Sequence, residues 1–196
     1  MLKTFLAALF TAFIFAAAPS GAWTMGDDGL HKEDWFSITF RDIAEDIQSA
    51  KDEGKRLVII YEQRGCIYCR KLHEELLADP EVSGYIKANY KVVQYNMFGD
   101  EEVTDLDGEV LTEKSAARKW GFLFTPTIVF LPEDVPEGKT VAQAAVAMMP
   151  GAFGKSTSLD MFQWVREKGY EGDEVFHKYH ARRLNERRAA GQPDTE

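Results

Sequence analysis

Cys66 and Cys69 are the only two cysteines in this sequence, and Ile67 and Tyr68 separate them. A β-branched run precedes the pair and an apolar stretch with helical spacing follows it, so the pattern places both thiols where a strand passes into a helix. Two thiols at this spacing can form and break a disulfide without a rearrangement of the fold. The arrangement therefore indicates thiol–disulfide redox chemistry.

The position of each thiol on the helix predicts a different role. Cys66 falls at the helix N-terminus, where unpaired N–H groups favour a thiolate, whereas Cys69 lies one turn further in. We therefore expect Cys66 to attack a substrate disulfide and Cys69 to resolve the mixed disulfide. Ile67 and Tyr68 are predicted to contact the substrate and to tune the stability of the reduced form. Packing of Ile67 into the core and partial exposure of Tyr68 without a role are the alternatives.

The first 22 residues have the pattern of a cleavable export signal, with Lys3 ahead of an apolar run from Phe5 to Ala18. Small residues allow cleavage after Ala18 or Ala22, and we favour Ala22 because Pro19 would directly follow the other site. A retained membrane anchor is the alternative, but the apolar run is shorter than the ~20 residues that span a bilayer comfortably. The sequence therefore predicts export to the periplasm.

Length and charge limit the other possibilities. The 196 residues suit a single domain with a full core, and the net charge of −9 disfavours a nucleic-acid partner. An oxidising compartment would also permit a purely structural disulfide. In the chain-entropy description, however, a four-residue ring contributes only about 1.9 kcal/mol, against about 4.7 kcal/mol for a 100-residue ring. We therefore favour a redox role for the cysteine pair.

Hydrophobic periodicity predicts an α/β order of elements. The predicted helices are 42–53, 66–78, 81–89, 115–120, 159–167 and 173–190, and the predicted strands are 57–61, 91–96, 127–131 and 141–149. The segment 101–113 alternates around Asp107-Gly108, which predicts a β-hairpin with a type I′ turn. This order is typical of a sheet with mixed parallel and antiparallel pairing.

A strand that runs into a Cys-x-x-Cys helix, with Phe-Thr-Pro-Thr at 124–127 opening a later strand, resembles the thioredoxin fold. Over roughly 43–168, several stretches resemble the SoxW-type exported thioredoxins of bacterial sulfur-oxidation systems. These stretches are EQRGCIYC at 62–69, KLHEE at 71–75, VTDLDG at 103–108, ARKWG at 117–121 and TPT at 125–127.

The resemblance implies a central mixed β-sheet flanked by helices, with the 101–113 hairpin as an insertion and an extra C-terminal helix. The expected organisation is a signal peptide at 1–22, an N-terminal extension at 23–41, a thioredoxin-like domain at 42–170 and a C-terminal helix and tail at 171–196. The inserted hairpin is expected to form part of a partner-docking edge, and a solvated decoration is the alternative.

The resemblance also implies roles for Thr125 and Pro126. Pro126 is expected to be a cis-proline that faces the dithiol, where its missing N–H leaves the backbone of Thr125 to pair with a substrate. The hydroxyl of Thr125 is expected near the sulfurs. A trans proline at the first position of a strand is the alternative.

Glu62 is the acid predicted to take part in catalysis. Many thioredoxins bury an acid six positions before the first cysteine, but this sequence has Ile60 there. Glu62 lies on the same strand face and is predicted to reach Cys69 directly or through water, with burial raising its pKa toward a range useful for proton exchange. A plain exposed strand end is the alternative.

A second hypothesis uses the same helix without catalysis. Cys66, Cys69 and His73 line one helical face and would suit a periplasmic copper or zinc carrier. A closed structural zinc site needs four ligands, and no fourth lies nearby in sequence, so His73 is expected to be a surface histidine. The remaining histidines are too remote in sequence to assign, namely His31, His177 and His180.

These observations predict a thiol–disulfide oxidoreductase that works as a reductant of protein disulfides, with the Cys66–Cys69 redox-active disulfide in place of a cofactor. The resemblance implies a sulfur-carrier protein as substrate and a membrane thiol transporter of the CcdA or DsbD type as electron donor. Cys-x-x-Cys proteins range from about −270 to −120 mV, so a disulfide oxidase, an isomerase and a cytochrome-maturation reductant stay open as alternatives.

Overall fold

The computed structural model describes residues 23–192. The predicted signal peptide at 1–22 and the last four residues of the predicted tail lie outside the described residues. Within residues 23–192, no helix is long and apolar enough to cross a membrane.

Eight strands and seven α-helices follow one another along the described chain. The strands are β1 (Thr24–Met25), β2 (His31–Lys32), β3 (Arg56–Glu62), β4 (Tyr90–Asn96), β5 (Glu102–Thr104), β6 (Val110–Thr112), β7 (Thr127–Phe130) and β8 (Ala147–Pro150). The helices are α1 (Ile43–Asp52), α2 (Ile67–Lys71), α3 (Pro80–Asn89), α4 (Glu113–Lys119), α5 (Val141–Ala144), α6 (Lys155–Arg166) and α7 (Phe176–Ala189).

A four-stranded mixed sheet forms the centre, in the order β4-β3-β7-β8. Strand β3 runs parallel to β4 and antiparallel to β7, and β8 runs antiparallel to β7. Every residue of β3 is buried, as its uninterrupted apolar run predicts for a strand covered on both faces. The predicted thioredoxin fold, an α/β arrangement with a mixed sheet flanked by helices, is confirmed.

Strand β3 contributes side chains to two separate hydrophobic cores, because successive side chains of a strand point to opposite faces of the sheet. Val58 and Ile60 pack with the helical layer that contains α3 and α6. Leu57, Ile59 and Tyr61 pack with α1 and α4 on the other side. Both cores hold the carboxyl end of β3 in place, and the dithiol follows directly from that end.

The helix after the dithiol is not uniform. Residues 67–71 are α-helical, and Leu72–Leu77 continue as a π-helical segment, where a single α-helix was predicted over 66–78. The buried side chains of this segment are Leu72, His73, Leu76 and Leu77. π-helical segments are rare in proteins, and those that occur are often found at functional sites. Here it places a histidine on the buried side.

The predicted hairpin is present, with Val103 opposite Leu111, but its predicted turn is wrong. A type I′ turn needs positive φ at both central residues, and of Asp107 and Gly108 only Gly108 has it (φ 85°). A five-residue connection, 105–109, joins the strands instead. Lys119 Nζ holds this loop through three carboxylates, those of Asp105, Asp107 and Glu109.

The predicted strand at 141–149 is only partly right. Its first half is helix α5, and only β8 at the end is extended. Thr140 caps α5 and Gln143 completes a capping box, a local signal that the alanine-rich composition obscured. The predicted extra C-terminal helix is present as α7, and Arg187 binds the buried carboxylate of Asp160 on α6 with two hydrogen bonds.

The N-terminal extension follows the outer edge of the sheet. Met25 pairs with His31 in the β1–β2 ribbon, and Gln94 of the edge strand β4 donates a hydrogen bond to the carbonyl of His31 (2.7 Å). Further along, the N–H of Ser37 donates to the carbonyl of Val92 (2.7 Å). The extension therefore covers part of an otherwise open edge and brings its own side chains toward the end of β3.

Candidate active site

The two cysteines form a disulfide at the junction of β3 and α2, with their Cα atoms 5.2 Å apart. Cys66 is the N-cap of α2, and its Sγ accepts a hydrogen bond from the N–H of Cys69 (3.0 Å). Cys66 keeps 7% of its surface exposed, whereas Cys69 has none. The outer sulfur thus sits where a helix N-terminus stabilises negative charge, and the inner one is shielded behind it.

The Thr125–Pro126 peptide bond is cis. The carbonyl oxygen and the Oγ1 of Thr125 each lie 3.4 Å from Cys66 Sγ. Pro126 is buried at the start of β7, and its carbonyl accepts a hydrogen bond from the N–H of Gly151 (2.7 Å). The cis bond before Pro126 and the position of the Thr125 hydroxyl agree with what the resemblance implies. The catalytic role of Pro126 and the substrate-binding role of Thr125 stay predictions.

Exposed apolar side chains lie next to Cys66 and next to Thr125 in the chain. Ile67 is 67% exposed and Tyr68 is 58% exposed, so Ile67 does not pack into the core. Leu123 and Phe124, just before Thr125, are 81% and 63% exposed. Leu123 was not among the predicted site residues, and Phe124 was noted only as the first residue of the Phe-Thr-Pro-Thr motif. We call Ile67, Tyr68, Leu123 and Phe124 the apolar rim.

Glu62 and His73 are fully buried and bonded to each other. The Glu62 Oε1 atom lies 2.8 Å from His73 Nε2, and neither side chain is exposed. The alternative of an exposed strand end for Glu62 is therefore wrong, and so is the expected surface position of His73. His73 adjoins Leu72, Leu76 and Leu77, and this apolar neighbourhood was the signal that it faces inward.

Two residues of the extension complete this group, and neither was among the predicted site residues. Glu33 Oε1 lies 2.7 Å from His73 Nδ1. His31, which seemed too remote to assign, has its Nδ1 atom 3.7 Å from Glu62 Oε2, and its ring stacks on that of His73 with centroids 5.2 Å apart. We call His31, Glu33, Glu62 and His73 the buried cluster.

A profile of the thioredoxin-like domain family matches residues 43–155. The chain belongs to this family. The match begins after the extension, so His31 and Glu33 lie outside it. No curated protein sequence matches the chain.

Several solved structures are similar to this thioredoxin-like protein. A thioredoxin-fold protein from Helicobacter pylori superposes with a TM-score of 0.59 at 17% identity, over 78% of this chain and 93% of that one. A thioredoxin from Thermus thermophilus gives 0.49 at 24% identity, over 65% and 86%. The oxidised C-terminal domain of Neisseria meningitidis DsbD gives 0.41 at 14% identity, over 67% and 97%. The first likeness shows the thioredoxin fold.

Charge is distributed unevenly within the buried cluster of this thioredoxin-like protein. Burial disfavours the charged form of His73, but hydrogen bonds with Glu33 and Glu62 outweigh it and raise the pKa of His73 to about 8. Burial and the adjacent His73 lower the pKa of His31, against the attraction of Glu62. The cluster thus favours the charged form of His73 and disfavours that of His31.

The soft-metal set suggested by the sequence is not assembled by this fold. Both ring nitrogens of His73 are directed at carboxylates, those of Glu33 and Glu62, rather than at the dithiol. The other two histidines lie on α7, where His180 contacts Asp160 (2.6 Å) and His177 is exposed. The predicted proton exchange between Glu62 and Cys69 stays a prediction.

A cavity of about 240 Å³ joins the two parts of the site. Its lining residues are Met25, His31, Gly65, Cys66, Ile67 and Arg70. His31 thus belongs both to the buried cluster and to the wall of the space beside the outer sulfur. The site combines a slightly exposed sulfur, a shielded partner sulfur, an apolar rim and a buried cluster whose His31 lines the same cavity.

Proposed function

We propose that this thioredoxin-like protein is an exported thiol–disulfide oxidoreductase that reduces protein disulfides. The Cys66 thiolate attacks one sulfur of a substrate disulfide, which forms a mixed disulfide and releases the first substrate thiolate. The Cys69 thiolate then attacks Cys66 Sγ, which closes the Cys66–Cys69 disulfide and releases the second substrate thiolate. Two electrons pass from the dithiol to the substrate, and solvent protonates the released thiolates.

One observation carries this proposal. Cys66 Sγ lies within 3.4 Å of both oxygens of Thr125, at the cis bond to Pro126, while Cys69 is shielded behind it. A substrate strand that pairs with the backbone of Thr125 would bring its sulfur to Cys66 and not to Cys69. The geometry therefore favours an attacking role for the outer cysteine and a resolving role for the inner one.

The apolar rim supports a protein substrate. The large side chains of the rim are exposed to solvent, two of them on α2 and two in the loop before Thr125. Exposed apolar patches mark protein-binding surfaces, and a small hydrophilic thiol such as glutathione gains little from them. We expect the substrate to present its disulfide within a segment with apolar side chains.

The more specific parts of the proposal rest on the sequence. The export pattern of residues 1–22 supports a periplasmic location. The resemblance to SoxW-type thioredoxins supports a sulfur-carrier protein as substrate and a membrane thiol transporter of the CcdA or DsbD type as electron donor. The proposed direction is reduction of the substrate.

Insulin reduction with dithiothreitol as electron source tests the activity. The mature protein is expected to accelerate precipitation of the insulin B chain, and Cys66→Ser is expected to fall to the uncatalysed rate. Ser83→Ala, at a half-buried position of α3, serves as a folded control. Wild-type protein that fails to accelerate the reaction, or a Cys66→Ser variant that matches it, contradicts the proposal.

A further inference from the structure

The buried cluster contains a set of ligand atoms that thiol–disulfide exchange does not require. Candidate ligand atoms of His31, Glu62 and His73 all lie within 4.8 Å of one another. The three residues are 4%, 0% and 0% exposed. Two imidazoles and one carboxylate are donors that suit zinc and similar divalent transition-metal ions, whereas calcium and magnesium prefer oxygen alone.

Two atoms of the cluster lack the partners that buried polar atoms normally have. His31 Nδ1 and Glu62 Oε2 are both buried, and neither has a hydrogen-bond partner among residues 23–192. They lie 3.7 Å apart, which is too long for a hydrogen bond between them. Buried polar groups without partners are rare in folded proteins and call for a physical explanation. An ion bonded to both atoms provides one.

The spacing fits one small ion. With zinc–ligand bonds of about 2 Å, donor atoms around a tetrahedral ion lie about 3.3 Å apart, and the centroids of two imidazole ligands lie about 5 Å apart. The 3.7 Å separation between His31 Nδ1 and Glu62 Oε2, the two atoms without partners, is close to the first value. The other oxygen of Glu62, Oε1, lies 2.8 Å from His73 Nε2. The His31 and His73 centroids, 5.2 Å apart, match the second.

Glu33 orients His73 in the manner of an outer-shell carboxylate. Its Oε1 atom lies 2.7 Å from His73 Nδ1, so Nε2 is the ring nitrogen that faces Glu62. Histidine ligands of metals usually donate their second N–H to a carboxylate or carbonyl in this way. On binding, the ion replaces the proton on Nε2, and that proton leaves to solvent.

We propose that His31, Glu62 and His73 bind a divalent transition-metal ion such as Zn²⁺, with Glu33 as the outer-shell partner of His73. The ion enters from the cavity beside Cys66, which His31 lines. Three protein ligands leave a fourth position of a tetrahedral ion for water. This site is distinct from a carrier site made of Cys66, Cys69 and His73, because it needs neither sulfur.

Calorimetric titration of ZnCl₂ into metal-free oxidised protein tests the site, since the closed disulfide cannot supply thiolates. One ion per chain is expected to bind, and the Cys66→Ser/Cys69→Ser double variant is expected to bind equally well. His31→Gln and Glu62→Gln are each expected to weaken binding at least tenfold. His177→Gln, which changes an exposed histidine of α7, is the matched control and is expected to bind like wild type.

Two further readouts separate a lost site from a lost fold. Zinc is expected to raise the Tm of the oxidised wild type and of the double cysteine variant, but not of His31→Gln, whose circular dichroism without metal should match wild type. Bound Co²⁺ is expected to show ligand-field bands without a thiolate charge-transfer band. Absence of binding by the oxidised wild type, its loss in the double cysteine variant, or its full retention in both His31→Gln and Glu62→Gln overturns the proposal. None of these measurements depends on disulfide-reducing activity.

Discussion

Glu62 Oε1 lies 2.8 Å from His73 Nε2, so the last residue of strand β3 is bonded directly to the helical segment that follows the dithiol. Both side chains are fully buried. This contact ties together the two elements that flank the Cys66–Cys69 pair. The position of the dithiol therefore depends on a buried contact as well as on the local strand–helix junction.

Replacing His73 with alanine is expected to destabilise the fold strongly. The change leaves the Glu33 and Glu62 carboxylates buried without their shared positive partner, and the loss of one member of a buried ion pair typically costs about 3–5 kcal/mol. Urea denaturation of the oxidised protein measures the free energy of unfolding. His177→Ala, at an exposed position on α7, should leave it nearly unchanged. Equal losses from the two substitutions would show that the buried contact does not stabilise the fold.

The two cysteines are expected to behave differently when a substrate is trapped. Cys69→Ser retains the attacking sulfur but not the resolving one, so it should accumulate mixed disulfides with protein substrates. Cys66→Ser should accumulate far fewer, because Cys69 is shielded. Non-reducing electrophoresis after incubation with a disulfide-containing protein compares the two. Equal trapping by both variants would argue against the assigned order of attack.

The apolar rim is expected to set the affinity for protein substrates. Leu123→Ser and Phe124→Ser each remove apolar surface that a bound segment would cover, so KM for insulin should rise about three- to tenfold with kcat little changed. Reduction of a small disulfide should proceed at the wild-type rate. Ile38→Ser removes a fully exposed apolar side chain from the extension and serves as the control. A parallel loss in all three variants would contradict a substrate-binding role for the rim.

The stability of the fold is expected to depend on Asp46 in a specific pH range. Burial raises the pKa of Asp46 from 3.8 to about 6, although a hydrogen bond from Thr39 acts in the opposite direction. The folded state therefore binds more protons than the unfolded state between these two values, and this contribution to the free energy of unfolding falls as pH rises from 3.8 to about 6.

Asp46→Asn removes this titration while it keeps an oxygen to accept the Thr39 hydrogen bond. Above pH 6, after allowance for solvent screening, the variant is expected to gain about 1–2 kcal/mol in the free energy of unfolding over wild type. At pH 3.5 the two proteins should be nearly equal. Urea denaturation at both pH values checks the difference, and a gain of the same size at pH 3.5 would assign the effect to something other than ionisation.

The features that the sequence predicted well depend on neighbouring residues. The Cys-x-x-Cys at a strand–helix junction, the buried strand β3 and the hairpin are all encoded in contiguous patterns. The turn type predicted for that hairpin was wrong. Lys119 binds three carboxylates of the connection and stabilises a longer loop than Asp107-Gly108 alone would specify.

The buried cluster could not be predicted from contiguous patterns, because its members come from distant parts of the chain. His31 and Glu33 belong to an extension with only short strands, and nothing in their local sequence indicates that they would meet Glu62 and His73. That meeting depends on how the extension follows the edge of β4. Tertiary packing, rather than local propensity, therefore decides the chemistry of the cluster.

The redox equilibrium of the Cys66–Cys69 pair with glutathione tests the central claim most directly. Thiol trapping and mass spectrometry measure the reduced fraction at each glutathione ratio. We expect the disulfide and dithiol forms to interconvert completely and reversibly. The reduction potential is expected at the reducing end of the range of Cys-x-x-Cys proteins, about −270 mV. A potential near about −120 mV would identify an oxidant, and a disulfide that resists dithiothreitol would contradict a redox role altogether.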